Sequence, residues 1–164
     1  MLMYMLIFSG RNDEAIEQGQ KTLDLDERAA HYYMGLAYEQ KRDFQKAMVL
    51  LQPPPNLEKD QIPQATATAD LAHIYAMAGK KKEALQLLAK LTAMSKQRFV
   101  PSWAFAIVYV GLGDRDRAFE YLNKGYDVNE RPSSVAGIKV DPRMNPLRND
   151  PRYHELLRRM GLPE

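Results

Sequence analysis

Cysteine is absent from this 164-residue chain, so the protein forms no disulfide bond and presents no thiolate ligand to a metal ion. An excess of charge of either sign is also lacking, because 23 lysine and arginine residues nearly balance 21 aspartate and glutamate residues. The net charge of +2 gives no argument for binding to nucleic acid or to a membrane surface. The lack of cysteine is compatible with a cytoplasmic location, which we expect.

No apolar run is long enough to cross a membrane, which takes about 20 apolar residues. The N-terminal stretch MLMYMLIF, residues 1–8, is apolar but lacks the basic region and the length of a signal peptide. We therefore interpret it as a buried first helix and expect no contact with a membrane.

Residues with catalytic or metal-binding chemistry are few and scattered. The three histidines, His31, His73 and His154, form neither an HxxxH nor an HExxH pair. No serine lies in the setting of a nucleophile elbow. The sequence GLGD at 111–114 lacks the lysine and the preceding strand of a phosphate-binding loop. We expect a non-catalytic protein without a cofactor or a metal ion.

Apolar residues recur at the spacing of α-helices, as Ala30, Tyr33 and Ala37 do, and strand signals are weak. This periodicity predicts an all-α fold. The predicted helices cover residues 1–8, 13–25, 28–41, 43–52, 63–78, 81–95, 101–112, 115–129 and 151–160.

Glycine, aspartate and proline mark the ends of these helices. Glycine ends a helix because it adopts the left-handed conformation without strain, which applies to Gly10, Gly79, Gly113 and Gly161. Aspartate caps a helix start with its side-chain oxygen, and the candidates are Asp13, Asp43 and Asp114. Proline suits the first helical turn, and the candidates are Pro63 and Pro101.

The residues at these helix ends belong to a pattern that repeats along the chain. Four alanines, Ala15, Ala47, Ala84 and Ala118, are spaced 32, 37 and 34 residues apart. Five residues before each alanine stand Gly10, Arg42, Gly79 and Gly113, and nine residues before stand Leu6, Tyr38, Tyr75 and Tyr109. Small residues, Gly35, Ala72 and Ala106, precede the last three alanines by twelve positions. We expect them to lie against Ala47, Ala84 and Ala118, because paired helices approach closely only where side chains are small.

The segments MGLAYEQKRDFQKAMVLL (34–51), LAHIYAMAGKKKEALQLL (71–88) and FAIVYVGLGDRDRAFEYL (105–122) resemble the tetratricopeptide repeat family. LIFSGRNDEAI (6–16) resembles a truncated first copy. The resemblance implies a right-handed superhelical array of antiparallel helical hairpins over residues 1–131. Its repeats would span 1–26, 28–60, 63–97 and 100–131. Residues 132–164 would form a C-terminal cap with a helix at 151–160.

Two segments of the tail, DPRMNPL and DPRYHELLRRMGL, begin with Asp-Pro. This dipeptide is a strong start signal for a helix. The tail resembles the end of bacterial multidomain regulators that carry such repeat arrays, so we expect part of a larger bacterial regulatory protein. Five arginines lie here: Arg143, Arg148, Arg152, Arg158 and Arg159. They are interpreted either as a patch for nucleic acid or an acidic partner, or as a solvated face, and nucleic acid is the weaker alternative.

In the family, the first helix of each pair lines a groove that binds a protein or peptide. Carried over by position, the main groove residues are Tyr4, Phe8, Tyr32, Leu36, Glu39, Gln40, His73, Met77, Trp103 and Ile107. Further groove positions are Ile7, Thr66, Ala69, Val100 and Val110. The lysine, asparagine and arginine of the family's carboxylate clamp are absent.

The resemblance therefore implies an interaction scaffold with an apolar, aromatic groove. The alternatives are a groove filled by the tail or by a second copy, and a homodimer formed through Met1–Phe8.

Overall fold

The computed structural model describes residues 2–52, 64–128 and 137–163, and within them it contains helices and turns but no strand. The α-helices are α1 Leu2–Phe8, α2 Asn12–Thr22, α3 Glu27–Gln40, α4 Phe44–Leu51, α5 Gln64–Met77, α6 Lys81–Ser95, α7 Ser102–Leu112, α8 Arg115–Asp127 and α9 Pro151–Arg159. Two 3₁₀ helices, Gly137–Lys139 and Pro142–Leu147, precede α9. The all-α prediction is confirmed, and each predicted helix end lies within three residues of the observed one.

The four turns predicted from the repeat share one backbone geometry. Gly10, Gly79 and Gly113 adopt φ angles of 77°, 77° and 76°, and Arg42 adopts 61° at the equivalent position. In each turn the next backbone N–H donates to a carbonyl at the repeated Leu or Tyr position, as from Asp43 to Tyr38. This is the hydrogen bond that closes a left-handed helix end, so Arg42 occupies a position that favours glycine.

The cap predictions hold in part. Asp43 and Asp114 cap α4 and α8 through backbone N–H groups, as predicted. The prediction for Asp13 is wrong, because α2 begins one residue earlier and Asp13 lies inside its first turn, paired with Lys41. Pro101 occupies the cap position of α7 rather than its first turn. Pro63 lies outside the described residues.

Each helix from α1 to α8 packs against the next, and α1, α3, α5 and α7 also contact one another in sequence. The four repeated alanines are completely buried. Gly35 lies so close to α4 that a Cβ atom there would stand 1.8 Å from Cδ1 of Leu51. Small side chains thus set the close approach of these helices.

The tail adds a third layer to the second half of the chain. Helix α9 contacts α8 and buries Tyr153, Leu156 and Leu157. The 3₁₀ helix Pro142–Leu147 instead packs on α7 and buries Met144 and Leu147 completely. The segment before α9 therefore reaches the face formed by α1, α3, α5 and α7. Of the helices in the described ranges, none combines the length and the apolar character needed to cross a membrane.

Candidate functional site

Arg143 lies in the middle of the face formed by the first helices of the repeats. Its Nη1 donates to Oδ1 of Asp70 on α5 over 2.5 Å, and its Nε and Nη2 donate to the carboxylate of Asp141. The arginine side chain is 9% exposed and both carboxylates are 1% exposed. The hydroxyl of Tyr32 on α3 donates to the other Asp70 oxygen over 2.5 Å. One buried guanidinium thus links the tail to α5, and through Asp70 to α3.

The local sequence explains how Arg143 reaches this place. Asp141 caps the 3₁₀ helix by accepting the backbone N–H of Arg143, and Pro142 begins that helix with a fixed φ angle. Met144 and Leu147 then anchor the segment in the core. Arg143 is therefore held within a short helix whose apolar side chains are completely buried.

Burial and charge act in opposite directions on the acids of this site. Burial raises the pKa of Asp70 above its ordinary value, although the charge of Arg143 and the bond from Tyr32 oppose the shift. Burial would also raise the pKa of Asp141, but the charge and hydrogen bonds of Arg143 bring it below its ordinary value. Burial and the nearby Asp70 raise the pKa of Tyr32 well above 10, so its hydroxyl stays a hydrogen-bond donor.

The first opening beside Arg143 is a cavity of about 280 Å³, here called the aromatic cavity. It is lined by Tyr4, Tyr32, Leu36, Thr66, Pro101, Trp103, Ala104, Ile107, Gly137 and Arg143. Five of the ten main groove residues predicted from the sequence meet here: Tyr4, Tyr32, Leu36, Trp103 and Ile107. They come from α1, α3 and α7, which are far apart in the chain.

The second opening is a cavity of about 260 Å³ on the tail's other side, here called the Glu39 cavity. Four more predicted groove residues line it: Glu39, Gln40, His73 and Met77. The remaining lining residues are Arg42, Phe44, Pro142, Arg143, Asn145 and Pro146. The tail therefore separates the predicted groove residues into two groups.

Several predicted groove positions line neither of these two cavities. Phe8 contacts Tyr4 with ring centroids 4.2 Å apart and ring planes tilted by 57°, and it packs against the first half of the core. Ile7, Ala69, Val100 and Val110 are buried side chains of the core. Thr66, the remaining one of the five further groove positions, lines the aromatic cavity.

The five tail arginines do not all lie together, although Arg152, Arg158 and Arg159 line one opening beside α9. Arg143 is buried, so its assignment to a basic patch or a solvated face is wrong. Arg152 pairs with Asp150 and Asp116, and Arg159 pairs with Asp127. Arg158 pairs with Glu155, and Arg148 donates to the carbonyl of Lys139. Acidic and carbonyl oxygens thus accept from all five.

Sequence reasoning missed Asp70 and Asp141 as members of the site. A signal for Asp70 is present, because it is the one charged residue in the otherwise apolar and neutral segment QATATADLAHIYAM and must find a partner when buried. Asp141 belongs to a recognised helix start, but the burial of Asp141 together with the guanidinium of Arg143 has no local signature.

Across residues 2–52, 64–128 and 137–163, no three His, Asp or Glu side chains are placed together to hold an ion. Neither a protein-family model nor a curated protein sequence matches the chain. The resemblance to tetratricopeptide repeats rests on the chain's own repeated residues.

Proposed function

We propose that this chain is a protein-interaction module of the tetratricopeptide repeat kind, built as a right-handed superhelical array. In this proposal it holds a short peptide segment of a partner by one apolar or aromatic side chain in the aromatic cavity. The context of a larger bacterial regulatory protein in the cytoplasm belongs to the same proposal and rests on the resemblance of the tail.

The observation that carries the proposal is the convergence of Tyr4, Tyr32 and Trp103 on one opening. Tyrosine and tryptophan give large contact areas with few rotatable bonds, and they dominate the energetics of many interfaces. Leu36 and Ile107 supply an apolar floor, since both are almost fully buried. Such a cavity favours an apolar side chain over a polar one.

The size of the aromatic cavity sets the size of its occupant. Cavities for drug-sized ligands begin at about 300 Å³, so about 280 Å³ suits a single large side chain. The tail occupies the adjacent part of the face, because Arg143 lines both the aromatic cavity and the Glu39 cavity. A short extended peptide with one inserted side chain fits these limits better than a helical partner.

The test is selection of displayed random peptides on the wild-type chain, followed by affinity measurement with the Trp103→Ala variant. We expect the selected peptides to share a large apolar residue. We also expect Trp103→Ala to weaken binding by about tenfold or more, because loss of a central aromatic side chain costs at least 1–2 kcal/mol. Tyr4→Ala, at a more exposed side chain, gives a second measurement if Trp103→Ala unfolds the chain.

The matched control is Phe99→Ala, because Phe99 is an exposed aromatic residue that does not line the aromatic cavity. Binding to this variant should stay within twofold of wild type. Peptides without a common apolar residue, or equal binding to wild type and to both cavity variants, would overturn the proposal.

Self-association through α1 is a second candidate, supported by one observation. Leu2 and Met5 are 55% and 62% exposed, which leaves apolar side chains of α1 in solvent. Sedimentation should then show a dimer that Met5→Glu dissociates. A monomer at every concentration would leave the peptide module as the proposed function.

A further inference from the structure

Glu39 and His73 form a buried pair at the wall of the Glu39 cavity. Nδ1 of His73 is hydrogen-bonded to Oε1 of Glu39, and the two side chains are 4% and 3% exposed. The second carboxylate oxygen, Oε2 of Glu39, is buried and has no hydrogen-bond partner among the described residues. An unpartnered carboxylate oxygen inside a protein is costly, so a donor that reached it would bind favourably.

Among the described residues, His73 is the ion-pair partner of Glu39, and Arg143 acts on Glu39 through its charge without a direct hydrogen bond. Three carboxylates are buried on this face, those of Glu39, Asp70 and Asp141. The buried guanidinium of Arg143 is shared between Asp70 and Asp141. Arg42 also lines the cavity but is exposed, so solvent screens its charge. The three buried carboxyl groups therefore outnumber the one buried guanidinium.

The other walls of the cavity suit an organic cation with N–H groups. Gln40 and Asn145 offer amide oxygens that accept hydrogen bonds, and Phe44 offers an aromatic ring. Met77 adds a polarisable thioether at the more exposed side. The volume of about 260 Å³ accommodates the head group and part of the stem of a long side chain.

We propose that the Glu39 cavity binds a guanidinium or ammonium group, such as an arginine or lysine side chain presents, with an N–H donating to the Glu39 carboxylate. The inference goes beyond the peptide function proposed for the aromatic cavity. It rests on different residues, and either proposal can fail without the other.

The experiment titrates Nα-acetyl-arginine amide into protein labelled with ¹⁵N-histidine and follows the ring signals of His73 by NMR. Nα-acetyl-citrulline amide is the neutral control of nearly the same shape, and sodium chloride matches the ionic strength. We expect a saturable shift of the His73 signals with the arginine amide, with a Kd on the order of 1 mM. The citrulline amide should give no saturable shift, and the corresponding lysine amide shows whether an ammonium group suffices.

Two variants place the cation in the cavity. Glu39→Gln removes the charge at nearly constant shape and should weaken binding by about tenfold, as loss of a charge-assisted hydrogen bond does. Asn145→Lys adds a positive charge at an exposed lining residue and should weaken binding without disturbing the buried pair, whereas Asn145→Ala should change it little. Asn145→Lys keeps the test valid if Glu39→Gln destabilises the fold.

Three outcomes would overturn the proposal. The first is a titration in which the His73 signals do not move with either cation. The second is an equal shift with the arginine and citrulline amides, which would show that charge is not recognised. The third is unchanged arginine affinity in a folded Glu39→Gln variant and in Asn145→Lys.

Discussion

Arg143 in the tail donates a hydrogen bond of 2.5 Å to Asp70 on α5, although 73 residues separate them in the chain. The pair lies between the two cavities of the candidate site, because Arg143 lines both. This ion pair therefore separates the aromatic cavity from the Glu39 cavity on the face formed by α1, α3, α5 and α7.

Arg143→Ala should destabilise the protein by about 3–5 kcal/mol, because it leaves Asp70 and Asp141 buried without their cation. Urea unfolding followed by circular dichroism measures the change. Adding Asp70→Asn to Arg143→Ala should recover part of the loss, since one uncompensated buried charge is removed.

Arg152 provides the matched control for this prediction. It follows Asp150 and Pro151 as Arg143 follows Asp141 and Pro142, but its side chain is 45% exposed. Arg152→Ala should therefore lower the urea midpoint much less than Arg143→Ala does. Equal effects of the two alanine substitutions would contradict the assigned difference in burial.

Acid should remove a contribution to stability that comes from Asp150. Hydrogen bonds from the Arg152 side chain lower the pKa of Asp150 from 3.8 to about 2. A carboxyl group with a lowered folded-state pKa stabilises the fold above pH 3.8, and this stability is lost as the pH falls towards 2. Asp150→Asn should lose less stability than wild type over this range, while asparagine still caps α9.

Arg152→Gln should also reduce the loss of stability between pH 3.8 and 2, because it removes the hydrogen bonds that lower the pKa of Asp150. Urea midpoints measured at several pH values test both variants. Parallel curves for wild type and both variants would show that Asp150 makes no such contribution.

Arg42→Gly should stabilise the protein by about 1 kcal/mol, because a residue with a Cβ atom is strained at a φ of 61°. Gly79→Ala at the equivalent turn should destabilise it by a similar amount. No atom lies within 4 Å of a Cβ placed on Gly79, so the effect there comes from the backbone alone. Thermal unfolding of both variants should give midpoint shifts of opposite sign, and shifts of the same sign would refute the turn assignment.

Gly35→Ala should destabilise the protein by about 1–2 kcal/mol, although alanine favours a helix over glycine by about 1 kcal/mol. The reason is the 1.8 Å separation between the new Cβ atom and Cδ1 of Leu51. Gly137→Ala is the control, since a Cβ atom there meets no atom of the described part of the chain within 4 Å. Combining Gly35→Ala with Leu51→Ala should cost less than the sum of the two single changes, and simple additivity would argue against the contact.

The helices and turns were predictable because their causes are local. Apolar spacing positions α3, α5 and α7, and side-chain caps such as Asp43 and Asp114 begin the helices that follow. Asp13 was mispredicted because a cap and a first-turn acid differ by only two positions along the chain. The 3₁₀ helix Pro142–Leu147 carried a start signal, but no apolar periodicity indicated its extent.

Repeat position indicated residues that line two cavities but not how those residues are arranged, and their role in binding stays a prediction. Nine of the ten main groove residues line one of the two cavities, and Phe8 does not. The division between them depends on Arg143, for which the sequence offered only surface interpretations. A residue's position in a repeat indicates which face it occupies, but not which distant segment covers that face.

The two Asp-Pro-Arg segments, residues 141–143 and 150–152, have the same local structure but different tertiary surroundings. In both, the aspartate accepts the arginine's backbone N–H and binds its guanidinium, so the sequence by itself determined the same local structure twice. Only the tertiary structure decided that Arg143 is buried against Asp70 while Arg152 remains at the surface. The physical reason is that capping acts over a few residues, whereas burial depends on packing Met144 and Leu147 against α7, far earlier in the chain.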